Sequence, residues 1–537
     1  MTLVLSALYA KFIVVLGIAF PVTDILSLRA PPSFYQGFYL FLYSVSVAFV
    51  VFMYSSHLKN RAVFSIINNY EAKSGDRNNS LSLKKRVIRY GSFYLRVGAI
   101  AFGIGSMVYS GLEFGQYFEL KEDDRCQNFL IALNPAARML LSIVQMQFIF
   151  LNTKELHMTK HKVISRFGLM HMVATNLCEW LYVLVEETKH EIYHIGHENK
   201  FEISDLHNAT SALHLHKRAT SVEIVIECRR TNIMGRLIQN ASPFLFPCTI
   251  EYSLICAVIL FEMWKKIKIT SHGAHNNSQH GHHQQKDVHH LSVDCSRAHK
   301  GMFAGILVIV MTIISLIMFF VLDEENSYKF TAVLEVTACE IIMYILTSLA
   351  VGAAMYKMRD LKYSKKYRKK LIFLLLKKFI KLFLFLESGI GLDCTLLILA
   401  QSGVYIYCMF SIMGSYFTRN DEGLPSGYGV NGLLSEVLSL IQTSFQTIFI
   451  LNAWWRRTKG AQQNRTKPGR EIITFLLIAN MAIWFINTLI KNRASFRTTH
   501  LNFFGIWAWT IITHVSMPLA IFYRFVNIFY INFIINN

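Results

Sequence analysis

Charge-poor apolar runs of about twenty residues recur along the whole chain, and they limit its possible folds more than any other feature. A helix of about twenty residues is long enough to cross the hydrocarbon core of a bilayer. Only 16% of the residues are charged, whereas about 25% is usual in a soluble domain. We therefore predict an all-α polytopic membrane protein with twelve transmembrane helices. The runs are 4–27, 36–55, 92–112, 134–153, 169–186, 243–264, 301–322, 329–355, 393–416, 433–454, 472–490 and 504–526.

The net charge of +20 lies in the short segments between these runs, so it does not indicate binding to nucleic acid. Segment 56–89 holds eight Lys or Arg and two Asp or Glu, and a basic segment follows every even-numbered run. Because cytoplasmic loops carry the excess of Lys and Arg, this pattern predicts that both termini are cytoplasmic. Segment 491–503 is an exception, since it is external on this topology but carries Lys491, Arg493 and Arg497.

A polar motif occurs twice at matched places in the chain. Asn-x-x-x-Trp begins at Asn176 and again at Asn480, within the fifth and eleventh runs. QMQFIFLN (145–152) precedes the first copy and QTIFILN (446–452) precedes the second. Six spans per half give both halves the same orientation, so we predict two six-helix parallel pseudo-repeats.

The repeat predicts a division of the chain into two halves and a linker. The first half is 1–264, the linker 265–300 and the second half 301–537. Within the second half, 369–390 is an atypical insertion that is both basic and apolar. It is either an amphipathic helix on the membrane surface or an error in the gene model. If it spanned the bilayer, the topology after it would invert.

Ionisable groups inside the runs are candidates for function, because such groups usually face a bundle interior or a water-filled cavity. Glu251, Glu436 and His514 lie well within runs six, ten and twelve, and we interpret them as a titratable relay or gate. Glu179, in run five, is also compatible with simple contact to a neighbouring helix. Amide and phenol groups in the runs either bond helices together or orient water.

The chain carries no signature of catalysis or of metal-ion conduction. It has no Walker motif, nucleophile elbow or HExxH zinc motif, and no carbonyl filter of the TVGYG kind. We therefore predict that it is not an enzyme and needs no cofactor. The Glu, His, Asn, Gln and Tyr groups suit proton transfer better than the binding of large ions.

Several motifs resemble those of the otopetrins, a family of proton-selective channels, and they are most similar to the motifs of insect or invertebrate members. The motifs are YAKFIVVLGIAFPVTDILS, QMQFIFLN, ATNLCEWL, FPCTIEYSLI, LDCTLLILAQSGVYIYCMFSIMG and SFQTIFILNAWWRR. The resemblance implies twelve helices in two barrel-like halves, a homodimer in the plasma membrane, current activated by extracellular acid, and block by zinc.

The resemblance also implies a constriction in each half, lined by Gln, by Asp or Asn, and by Tyr. The first set matches Gln145, Asn176 and Tyr182, with Gln147 as a rival for the glutamine. The second matches Gln446, Asn480 and Tyr523, with Gln442 as a rival. The intramembrane Glu and His of the family match Glu251, Glu436 and His514.

Histidines gather in two segments outside the runs. Eight lie within 272–299, in the linker, where a disordered segment with incidental metal affinity is the plain interpretation. Six more belong to the long external segment and are candidates for sensing pH or zinc: His190, His194, His197, His207, His214 and His216. Asn208 begins a glycosylation sequon there. Cys126 and Cys228 are both external, but sequence alone does not establish that they pair.

We conclude from the sequence that the chain is a proton-selective channel that conducts H⁺ down its gradient. Its expected partners are protons, membrane lipids and a second copy of the chain. The alternative is a proton-coupled secondary transporter of a small solute, since parallel repeats with polar groups at the midplane fit that class too. A scaffold whose polar groups serve only packing is the third possibility.

Overall fold

The computed structural model describes the greater part of the chain. The described residues are 2–26, 35–73, 93–119, 129–151, 161–204, 233–272, 299–359, 361–363, 392–419, 428–453, 456–457 and 469–536. The predictions for His207, His214, His216, Asn208, Cys126 and Cys228 concern residues outside these ranges, as do those for linker residues 273–298 and insertion 369–390.

Long helices dominate the described residues, and each lies on one of the twelve predicted spans. In the first half they are α1 (Thr2–Leu26), α2 (Gln36–Lys73), α3 (Phe93–Glu119), α4 (Phe129–Leu151), α5 (Lys162–Ser204) and α6 (Ile233–His272). In the second half they are α7 (His299–Asp323), α8 (Lys329–Lys357), α9 (Leu392–Phe417), α10 (Tyr428–Ala453), α11 (Arg470–Ile486) and α12 (Ile506–Asn536).

Eleven of these helices are long and apolar enough, in their described residues, to cross a membrane. The other is α4, which carries Pro135 and the charged Arg138 within its length. The prediction of an all-α polytopic membrane protein is confirmed. Several helices outrun the predicted spans, because hydropathy marks the part of a helix that can face lipid and not its ends. For example, α2 continues to Lys73 and α5 to Ser204.

The exposed faces of the helices are largely apolar, and polar side chains lie among the buried residues, as expected where lipid is the solvent. On α7 the exposed residues include Phe303, Val310 and Ile317, while Thr312 and Ser315 are buried. Several buried Thr and Ser hydroxyls bond a carbonyl one turn earlier in their own helix, which satisfies them without a partner helix. Thr312 Oγ1 donates to the Val308 carbonyl at 2.9 Å in this way.

The chain separates into two compact units. The first comprises Met1–His190 and Asn199–His282, and the second comprises Glu191–Glu198 and His283–Asn537. Inside the first unit, α3 packs on α4 and α6, and α2 packs on α4. Inside the second unit, α9 packs on α10 and α12, and α8 packs on α10. The same helix pairs, counted from the start of each half, are therefore in contact in both units.

Irregular backbone follows α11, at the place where the charged residues of segment 491–503 enter the structure. The helix widens into a π-helical turn, Asn487–Lys491, and a 3₁₀ turn follows at Ala494–Phe496. A short helix, Thr498–Phe504, then leads through Gly505 (φ +83°) into α12. π-Helical turns are rare and often occur at functional sites. Elsewhere, Lys362–Tyr363 (β1) pairs antiparallel with Arg456–Arg457 (β2).

Glycines let the first and fifth helices of each unit approach closely. In the first unit a Cβ at Gly17 would overlap the Cys178 side chain, which joins α1 to α5. In the second unit a Cβ at Gly301 would overlap the Glu471 carbonyl oxygen, which joins α7 to α11. Small residues at such contacts are typical of membrane helices, which gain stability from close packing of their backbones.

We predict that Gly301→Ala destabilises the protein, whereas Gly352→Ala does not. A methyl group at 301 meets a backbone carbonyl that cannot rotate away, and overpacking of this kind costs about 1–3 kcal/mol. Gly352 lies on α8 with no heavy atom within 4 Å of its Cβ position. Thermal unfolding of the detergent-solubilised protein, followed by size-exclusion chromatography, measures the difference. Equal midpoints for the two variants would contradict this account of the α7–α11 contact.

Candidate functional site

Two of the predicted residues form a reciprocal amide pair inside the first unit. Gln145 of α4 donates from Nε2 to Asn176 Oδ1 at 3.0 Å, and Asn176 of α5 donates from Nδ2 to Gln145 Oε1 at 2.9 Å. Asn176 Nδ2 also donates to the Met172 carbonyl at 2.7 Å. Both side chains are buried, whereas the rival Gln147 is exposed. The pair therefore joins α4 and α5 through groups that can also bind water.

The tyrosine beside this pair is Tyr252, and not the predicted Tyr182. Tyr252 of α6 lies with its hydroxyl 3.4 Å from Gln145 Nε2, and it donates to the Ser142 carbonyl at 3.0 Å. Tyr182 instead packs its ring against Tyr39, with centroids 4.8 Å apart. Tyr182 was matched through the family resemblance, but six residues of helix place it more than one turn away from Asn176. The sequence signal that was missed is the tyrosine directly after Glu251.

A small cavity adjoins the amide pair. It offers about 20 Å³ to the centres of water molecules, which is room for one or two waters. Eleven of its twelve lining residues have side chains with a polar atom. The lining residues are Tyr43, Ser106, Arg138, Leu141, Ser142, Gln145, Thr175, Asn176, Glu179, Thr249, Tyr252 and Ser253.

Arg138 of α4 gathers two carboxylates at the wall of this cavity. Its Nη1 donates to Glu179 Oε1 at 2.9 Å, its Nη2 pairs with Glu113, and its Nε donates to Ser110 Oγ at 2.8 Å. The Tyr43 hydroxyl donates to the second oxygen of Glu179. One cation and two anions give this cluster a formal charge of −1. Sequence analysis did not single out Arg138, although a lone arginine within an apolar run was a usable signal.

Glu251 is close by in sequence but does not line the cavity. Its side chain is 1% exposed, and neither carboxylate oxygen has a hydrogen-bond partner among the described residues. A charged carboxylate in such a place is costly. Glu251 therefore has the environment expected of a group that exchanges protons, which is the interpretation made from its position in run six.

The second unit repeats the tyrosine contact. The Tyr523 hydroxyl of α12 donates to the Thr443 carbonyl at 3.0 Å, three residues before Gln446, just as Tyr252 reaches the carbonyl three residues before Gln145. Asn480 of α11 donates to the carbonyl four residues earlier at 2.7 Å, as Asn176 does. This geometry makes Gln446, and not its rival Gln442, the counterpart of Gln145.

In the second unit, Arg524 contacts both Asn480 and Gln442. Its Nη1 donates to Gln442 Oε1 at 2.7 Å and lies 3.5 Å from Asn480 Oδ1, and its Nη2 donates to Thr443 Oγ1 at 3.3 Å. Gln442 in turn donates to Gln446. Where Asn176 meets Gln145 directly, Asn480 therefore faces a guanidinium. Arg524, an arginine within the apolar run 504–526, was not among the predicted site residues.

Glu436 lies in a buried cluster of two acids and two bases. Lys491 Nζ is 3.0 Å from Glu436 and 3.1 Å from Glu340, and Arg497 Nη2 is 3.3 Å from Glu436. The Cys408 thiol lies 3.2 Å from the other Glu436 oxygen. Lys491 and Arg497 made segment 491–503 unusually basic for an external loop. The structure explains the exception, because both side chains turn inward and pair with acids.

His514 pairs with Glu191, which sequence analysis had placed in a long external segment. Nε2 of His514 is 2.5 Å from Glu191 Oε2, and the Ala494 N–H donates to Glu191 Oε1 at 2.6 Å. Burial raises the pKa of Glu191, but His514 and the backbone N–H groups of Ala494 and Ser495 lower it more, so that it lies below its usual value. Nothing is described for the side chains of His190, His194 and His197.

The sequence of the chain is similar to those of one protein family. A family model named Otopetrin matches residues 94–525. The chain is 43% identical, over 97% of its length, to the proton channel OtopLc of Drosophila melanogaster, and it spans 34% of that longer protein. It is 23% identical, over 81% of its length, to the proton channel OTOP2 of Mus musculus, of which it covers 80%. The chain is therefore a multi-pass membrane protein that belongs to the otopetrin family.

Proposed function

We propose that the protein is a proton-selective channel that conducts H⁺ down its electrochemical gradient and is activated by extracellular acid. The relatives named above are proton channels, which supports this assignment. The observation that carries it is the Gln145–Asn176 pair beside a cavity of water size. Protons pass along chains of water and exchangeable groups, whereas a metal ion with its hydration shell does not fit a cavity that holds one or two waters.

The charge at the cavity favours cations. Glu113 and Glu179 outweigh Arg138, and the cavity is enclosed by apolar helices that strengthen the field of the excess negative charge. Gln145, Asn176 and Tyr252 orient water at the narrow point. Gln446, Asn480 and Tyr523 form the corresponding constriction of the second unit, while Glu251 and Glu436 relay protons or set the gate.

Further properties belong to the same proposal. The protein works in the plasma membrane as a homodimer, among lipids, with both termini in the cytoplasm and with zinc as a blocker. The two units are copies of one parallel repeat, which is supported by the matching helix pairs and by the tyrosine contacts of Tyr252 and Tyr523. His190, His194, His197, His207, His214 and His216 sense acid or zinc from outside, and Asn208 carries a glycan.

Whole-cell recording tests the central assignment. With sodium and potassium absent, we expect lower external pH to evoke an inward current. Its reversal potential should move by about 59 mV per pH unit, which is the Nernst slope for an ion of one charge. The solution needs no second solute, because a channel uses only the gradient. A current that requires a solute would favour a proton-coupled transporter. Absence of current, with the protein at the cell surface, would contradict both.

The amide pair gives a matched pair of variants. We expect Gln145→Leu to lower the proton current at least tenfold, because an apolar side chain at the narrow point cannot hold or orient water. Gln147→Leu changes an exposed residue on the same helix and is expected to leave the current unchanged. Currents normalised to surface protein make the comparison. Equal currents for the two variants would refute the role given to Gln145.

The His514–Glu191 pair predicts a shift in acid activation. His514→Gln removes the group that lowers the Glu191 pKa, so Glu191 takes up a proton at higher pH. If protonation of the pair opens the channel, the activation midpoint moves to higher pH by about one unit. His500→Gln is the control, since burial and Arg497 lower the pKa of His500 to about 3 and keep it neutral. A midpoint unmoved by His514→Gln would remove this pair from the gate.

A further inference from the structure

The two units differ in charge at the position that follows one structurally equivalent tyrosine. Tyr252 and Tyr523 correspond, because each donates its hydroxyl to the carbonyl three residues before the glutamine of its unit. The residue after Tyr252 is Ser253, which lines the water-sized cavity. The residue after Tyr523 is Arg524. A side chain with one hydroxyl in the first unit is thus replaced by a guanidinium in the second.

Arg524 is fixed within the constriction of its unit. Its side chain is 1% exposed, and its two Nη atoms reach Gln442, Thr443 and Asn480. The guanidinium also lies over the Tyr523 ring at 5.4 Å and the Tyr344 ring at 5.9 Å. Of the two amides in the second constriction, Asn480 therefore faces the cation directly, and Gln446 is linked to it through Gln442.

The charge of Arg524 is not balanced nearby. Among the residues that the structure describes, no carboxylate lies within ion-pair distance of it, since Glu340 and Glu436 pair with Lys491 and Arg497. Those two acids and two bases cancel, which leaves a formal charge of +1 around the second constriction. The corresponding cluster of the first unit, with Arg138, has a formal charge of −1.

We propose that Arg524 closes the second unit to protons, so that the first unit alone carries the current. This rests on the proposed channel function. A fixed positive charge in a low-dielectric passage repels a proton strongly, and a buried arginine is one of the known means by which pores exclude protons. The guanidinium adds a steric barrier, because its Nη1 atom contacts both the Gln442 and the Asn480 amide oxygen.

A reciprocal exchange of the two residues tests the proposal. Ser253→Arg is expected to lower the proton current at least tenfold, because it places the same charge beside the first cavity. Ser253→Gln adds similar bulk without the charge, and its current is expected to exceed that of Ser253→Arg severalfold. In a Gln145→Leu background, which closes the first unit, Arg524→Ser is expected to restore at least a tenth of the wild-type current.

Each variant is compared at equal surface protein, and wild type is recorded beside it. A silent wild type would refute the proposed channel function itself. With an active wild type, a Gln145→Leu/Arg524→Ser variant that reaches the surface but stays silent would overturn the role of Arg524. Arg524→Gln replaces Arg524→Ser if the latter is retained in the cell. If neither reaches the surface, equal currents from Ser253→Arg and Ser253→Gln would overturn the proposal.

Discussion

Charges buried inside a bundle of membrane helices must be paired with one another, and this constraint organises both units. Arg138 joins α3, α4 and α5 through Glu113, Ser110 and Glu179. In the second unit Lys491 joins α8, α10 and the end of α11 through Glu340 and Glu436. Removing one member would leave a buried charge without its partner, which costs about 3–5 kcal/mol. The ion clusters therefore hold the helices in the register that brings the amide groups together.

Hydropathy predicted the helices, and the repeated motifs together with the family resemblance singled out Gln145 and Asn176, which the structure brings together. They succeeded because span length and polar spacing are properties of single helices. They missed Tyr252, Arg138 and Glu191, whose roles depend on which faces of different helices meet. Hydropathy carries no information on rotation about the helix axis within a bundle, so the choice between Tyr182 and Tyr252 could not be made from a run of apolar residues.

The basic segment after α11 illustrates a limit of counting loop charges. Lys491 and Arg497 are each 2% exposed, and both are neutralised by acids of neighbouring helices. A lysine that pairs inside the protein presents little charge to the membrane surface, so it contributes less to topology than its position suggests. The π-helical turn at Asn487–Lys491 fits this arrangement, because it widens the helix where Lys491 turns inward. The exception to the charge pattern thus follows from the ion cluster.

The two units share the hydrogen bond made by Tyr252 or Tyr523, but they differ at the next residue, Ser253 or Arg524. The hydroxyls of Tyr252 and Tyr523 donate to backbone carbonyls of α4 and α10, and a backbone carbonyl is present whatever side chain that position carries. The adjacent position is the neutral Ser253 in one unit and Arg524 in the other, and a single substitution there changes the formal charge at the narrow point by one without altering the scaffold. Two units of one architecture can therefore differ in conduction. Under the proposal for Arg524, charge at a shared position, and not the fold, is the property that assigns the proton path.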